Sequence, residues 1–220
     1  MPASPDHLRT ELAAAAARLI ADEGCDYGQA KRRAVRELLG DGPDARGVLP
    51  DNIEIERELR RHLRLFAADT HPELLAGLRR KAADLMEQLT PFNPHLVGAV
   101  LNGTATEHSD IEVQLYTDSA KDVEVSLMNA GIEFVVDEGG DGMPAPLERI
   151  SFVTTLGRRA GPQRDGRRIG VHLHVFERDA IRVAPRYRSP AAAEFELHPV
   201  AASGRASLSA LRELLGDAAR

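Results

Sequence analysis

Residues 96–116 read LVGAVLNGTATEHSDIEVQLY, and the fold of the chain turns on them. In the first half Val97, Ala99 and Leu101 alternate with Gly98, Val100 and Asn102. This predicts a mostly buried strand running into a tight Gly103-Thr104 turn. In the second half Ile111, Val113 and Leu115 alternate with Asp110, Glu112 and Gln114, the period of two of a half-buried strand. Successive side chains point to opposite faces, so Asp110 and Glu112 share one, about 6.5–7 Å apart along the strand. Two carboxylates so placed can ligate a divalent cation, and a glycine turn beside them can offer backbone N–H groups to phosphate.

Gly103-Thr104 followed by Ser109-Asp110-Ile111-Glu112-Val113 resembles the glycine–serine turn and acid-x-acid signature of the DNA polymerase β-like nucleotidyltransferase superfamily. The whole chain also resembles a family of bacterial nucleotidyltransferase-like proteins with a helical N-terminal half, through the run Thr117-Asp118-Ser119-Ala120-Lys121-Asp122-Val123-Glu124. The resemblance implies that Asp110 and Glu112 bind Mg2+ (or Mn2+) and that Gly103, Thr104 and Ser109 hold the nucleotide. It places a third carboxylate on a later strand, where IGVHLHVF (169–176) carries His172 and His174 instead. His172 then joins the metal ligands, and His174 or His172 takes the role of general base. The spacer from Thr104 to Asp110, residues 105–109, is shorter than the resemblance implies. The expected activity is transfer of a nucleotidyl group from an NTP to a hydroxyl of an RNA, a protein or a small molecule. The alternative is a catalytically inactive protein of the same fold that binds a nucleotide or a partner.

Composition narrows the field. A chain of 220 residues holds one domain or two small ones, and 43% hydrophobic with 28% charged residues suits a globular core. A net charge of −6 argues against a surface that coats nucleic acid generally, and 4% aromatics without tryptophan leave few platforms for stacking bases. The single cysteine, Cys25, excludes an intramolecular disulfide. No N-terminal leader pattern and no apolar run of membrane-spanning length occurs, so a cytoplasmic protein without membrane partners is expected. The sequence leaves oligomeric state open.

The expected organisation is a helical domain, 1–90, and an α+β nucleotidyltransferase-like domain, 91–220, with a mixed sheet and flanking helices. Ser4 and Pro5 open the first helix and Gly24 closes it. The second covers residues 27–39 with Ala30, Ala34, Val35 and Leu38 inward. The third runs from near Asp51 through Ile55, Leu59, Leu63 and Phe66, with acids early and arginines late as the helix dipole favours. The fourth spans 72–89, and TPFNP (90–94) marks the boundary. Beyond it, Ser119 caps a helix with Val123, Leu127 and Met128 on its apolar side, strands follow at 132–136, 147–156 and 168–176, and a closing helix covers 206–215. Residues 137–146 read as a loop and 157–167 as an arginine-rich hairpin tip.

Three further features carry candidate chemistry. His172 and His174 form an H-x-H on one strand face, which can bind zinc if a carboxylate joins them. Arg158, Arg159, Arg164, Arg167 and Arg168 could reach a phosphate backbone or simply be solvated, as could Lys31-Arg32-Arg33. Cys25 has no basic activator beside it in sequence and reads as structural. Neither a G-x-x-x-x-G-K-[ST] loop nor a G-x-G-x-x-G turn occurs, which excludes the common mononucleotide and dinucleotide cradles.

Overall fold

The computed structural model describes residues 5–40, 47–138, 145–157, 166–183 and 194–216. Among them lie eight α-helices and a six-stranded mixed sheet, so the chain is α+β. It resolves into two compact units: residues 1–74 with 104–108, and residues 75–103 with 109–220. Most of the fourth helix, from residue 75 onward, belongs to the unit that holds the sheet.

The first unit is built on α1 (Pro5–Glu23), α2 (Tyr27–Leu39) and α3 (Asn52–Phe66). α1 presents Leu12, Ala13, Ala16, Ala17 and Leu19 to Ala30 and Ala34 of α2 and to Ile55, Leu59 and Leu63 of α3. Alanines on the contact face let helix axes approach closely. Asp51 and Glu54 make a reciprocal capping box at the start of α3, and Asp26 caps α2 by accepting from Gln29 N. One expected core position is corrected: Leu38, 45% exposed, lies near the end of its helix and points outward; Phe66, at the end of α3, is 76% exposed. Within α3, Arg60 donates through Nε and Nη2 to Glu56 Oε1 at 3.1 and 2.7 Å, an ion pair with 5% and 2% of the side chains exposed. Burial and the nearby Glu56 charge push the Tyr27 hydroxyl up to about 12. The segment 104–108 closes this unit: His108 packs over Gly24 (φ +69), and its Nε2 lies 3.1 Å from Asp22 O. His71 Nε2 lies 3.0 Å from Ala105 O.

The second unit holds α4 (His71–Gln88) from residue 75 onward and the sheet, whose strands are β1 (His95–Val97), β2 (Ile111–Tyr116), β3 (Phe134–Glu138), β4 (Glu148–Leu156), β5 (Arg167–Phe176) and β6 (Ala206–Ser207). Their order is β3-β4-β5-β2-β1-β6, with β2 and β5 parallel and every other pair antiparallel. The buried face carries Ile111, Val113 and Leu115 of β2, Val171, Leu173 and Val175 of β5, and Ile150 and Phe152 of β4. The strand expected across residues 96–102 is corrected: β1 stops at Val97 and the chain enters a short helix, α5 (Gly98–Asn102). Gly98 makes the break at φ +70, and Val100 and Leu101 are buried from the helix instead. Arg79 of α4 donates to the carbonyls of Val100 and Leu101, satisfying acceptors that a helix end leaves open.

Ser119 caps α6 (Ala120–Asn129), in which Val123 and Leu127 are buried, whereas Met128 is exposed. β3 extends into Asp137 and Glu138, which the sequence assigned to a loop, because both pair with β4. β4 and β5 form the expected hairpin, Leu156 opposite Arg167, with its tip outside the described residues. α7 (Pro199–Ala202) follows. The closing helix starts later than expected, as α8 (Leu208–Leu214), since Ala206 and Ser207 pair with β1.

Candidate functional site

The alternation that buries one face of the sheet puts a row of polar side chains on the other. On β2 and just before it these are Asp110, Glu112 and Gln114; on β5, Gly170, His172 and His174; on β4, Arg149 and Ser151. Register brings them together. His172 lies opposite both Glu112 and Ser151, and His174 lies opposite both Gln114 and Arg149. The acid pair and the histidine pair, read separately from the sequence, thus occupy adjacent strands of one face.

Asp110 leans across Gly170. A Cβ at that glycine would stand 2.5 Å from Asp110 Cγ, so a side chain there would displace the carboxylate. Gly170 N donates to Asp110 Oδ1 at 2.9 Å, and His172 Nε2 lies 3.1 Å from Oδ2. On its other side, His172 Nδ1 lies 2.9 Å from Ser151 Oγ. Both Asp110 and Glu112 remain partly open, with 44% and 45% of their side chains exposed. His174 Nε2 stands 3.6 Å from Glu112 Oε2. This imidazole is the main influence holding the Glu112 carboxyl below the usual carboxylate range; burial opposes it, while charge on His174, His172 and Arg149 adds to the lowering.

Gly103 and Thr104, expected to grip phosphate, are otherwise engaged. Gly103, at φ +87, ends α5 and spends its N–H on Ala99 O at 2.9 Å. Thr104 is 2% exposed. Ser109 is half-buried immediately before Asp110. As Gly170 packs against Asp110, so Gly98 packs against Glu112: a Cβ there would stand 2.8 Å from Glu112 Oε1. Sequence reading also missed Gly170, Ser151 and Arg149. The Nε of Arg149 is buried without a hydrogen-bond partner, on the strand position opposite His174. Arg167 and Arg168 begin β5, while Arg158, Arg159 and Arg164 lie outside the described residues. Arg33 pairs with Glu23 and also donates to Cys25 Sγ at 3.3 Å, giving that thiol a basic neighbour not adjacent in sequence.

Among the described residues no three His, Cys, Asp or Glu side chains converge as a ready metal cage. Mg2+ is commonly held by one or two carboxylates together with substrate phosphates, so a partly open pair such as Asp110 and Glu112 fits a cation that arrives with a nucleotide. Each oxygen of Asp110 retains a lone pair beyond the contact already made. Among the described residues no helix is long and apolar enough to cross a membrane. No protein-family model, curated protein or solved structure matches this chain.

Proposed function

We propose that the second unit is a nucleotidyltransferase-like module that binds an NTP with Mg2+ or Mn2+ at Asp110 and Glu112 and transfers the nucleotidyl group to a hydroxyl. The observation that carries this reading is the acid pair on the open sheet face with Gly98 packed against Glu112. Gly98-Ala99 takes the place of Gly103-Thr104 as the turn beside the acids. Residues 100–109 then separate it from Asp110, the longer spacer that the resemblance implies. His172, directly opposite Glu112 on β5, stands where that resemblance expects a third acid. When bound, the cation supplies neutralising charge for the phosphoryl oxygens. The chain's own part is to orient the phosphates, with Arg149 beside the acids as a fixed cation, and to take the proton from the acceptor hydroxyl at His172.

A second reading, a nucleotide- or partner-binding module without turnover, is favoured by one observation: each carboxylate already has an imidazole next to it, and no acid stands on β5.

The test is thermal melting with each NTP, with and without Mg2+ or Mn2+, on wild type and on the double variant Asp110→Ala/Glu112→Ala. A cation-dependent shift that the double variant loses supports nucleotide binding at this face. No shift with any nucleotide overturns it. Turnover with added hydroxyl acceptors separates the enzyme from the binding module.

A further inference from the structure

In the Ser151–His172–Asp110 array both ring nitrogens of His172 lie within hydrogen-bond distance of a side-chain oxygen. An ionised carboxylate only accepts, so the proton shared by His172 and Asp110 belongs to His172 Nε2. A neutral imidazole with its proton on Nε2 has only a lone pair on Nδ1. In that tautomer the 2.9 Å contact to Ser151 has Oγ–H donating to Nδ1. Gly170 N donates to the other oxygen of Asp110 at 2.9 Å, which orients the carboxylate toward His172. A hydroxyl donating to a base that a third group orients is the arrangement of an activated serine nucleophile. Ser151 itself is half-buried.

We propose that Ser151 is itself an acceptor of the nucleotidyl group, so that the chain modifies itself. The inference rests on the nucleotide reading above and names the hydroxyl that His172 serves. In the step, Ser151 Oγ attacks the α-phosphorus of an NTP. An Oγ–P bond forms, the α–β anhydride bond breaks, pyrophosphate leaves, and the hydroxyl proton passes to His172 Nδ1. Asp110, at Nε2, stabilises the imidazolium so produced. Three other serines are engaged differently: Ser119 and Ser207 accept from backbone N–H groups as helix caps, and Ser203 donates to backbone carbonyls.

The experiment incubates the full chain with each NTP and Mg2+ or Mn2+ and reads intact mass, peptide mapping and the melting shift together. The expected result is one nucleoside monophosphate on Ser151 with pyrophosphate released. The adduct is absent from Ser151→Ala, restored by Ser151→Thr, and slowed about 100-fold or more in His172→Gln. A second readout needs neither nucleotide nor metal: nitrogen NMR of the imidazole reads His172 as the Nε2–H tautomer, and the opposite tautomer overturns the proposal. A nucleotide-dependent melting shift with no adduct at Ser151 overturns this inference and leaves the binding reading standing. Absence of any shift removes both.

Discussion

Gly170 and Glu112 are the residues at which structure and function can be pulled apart. Gly170 leaves room for the Asp110 carboxylate to reach His172; its missing Cβ would overlap the end of a flexible side chain rather than backbone. Gly170→Ala should therefore cost little stability, staying within about 2–4 °C of wild type, the shift that ~1 kcal/mol causes in a chain of this size. The same change turns Asp110 out, so the NTP-dependent melting shift should vanish. A variant that melts normally and still responds to nucleotide would show that the Asp110 position is not needed. Glu112 gives a pH signature. Its folded-state pKa is depressed, chiefly by His174, so its contribution to stability is present above the ordinary carboxylate value and is lost as pH falls through the lowered one. Because the side chain is partly open to solvent, the effect stays below about 1 kcal/mol. Melting of wild type and Glu112→Gln from neutral pH downward should show a gap that closes on the acid side.

At the scale of elements, α3 offers the sharpest stability test. Glu56 and Arg60 form a buried pair one helical turn apart. Removing one member breaks the buried pair, at a cost of about 3–5 kcal/mol, whereas replacing both with apolar residues of similar size is close to neutral. Arg60→Met should melt far below wild type and Glu56→Leu/Arg60→Met near it; equal melting of the two would mean the pair is not coupled. The helices of the first unit were legible because their signals are local: Gly24 stops α1, α3 starts near Asp51 with acids early and arginines late, and the apolar spacing matches a helical turn. β1 and α5 were not, because a short apolar run such as Val97–Leu101 reads equally as strand or buried helix until Gly98 is known to adopt φ +70. The site divides in the same way. Asp110 with Glu112 and His172 with His174 follow from a period of two along one strand, whereas Ser151 and Arg149 face them only through the register of β4 on β5. That register depends on hydrogen bonding between strands, which no spacing within one strand reveals.

For the molecule as a whole, the polar face of the sheet, to which the proposal assigns the nucleotide, lies in the second unit. The chain carries a net charge of −6, and the acids at this face add local negative potential. An NTP is itself strongly anionic, so like charges oppose its approach to Asp110 and Glu112 unless a cation accompanies it. NTP without divalent metal should therefore give no stabilisation, and metal without NTP only a weak one, since the protein supplies two carboxylates and the phosphates supply the remaining ligands. Together, at 100-fold the dissociation constant, they should stabilise by about 2.7 kcal/mol. Amide hydrogen exchange can say where this energy acts. Protection should rise in β2, β4 and β5, which carry Glu112, Arg149, Ser151, His172 and His174. Slower exchange in α1, α2 and α3 with these strands unchanged would put the nucleotide elsewhere and overturn the acid pair as its site.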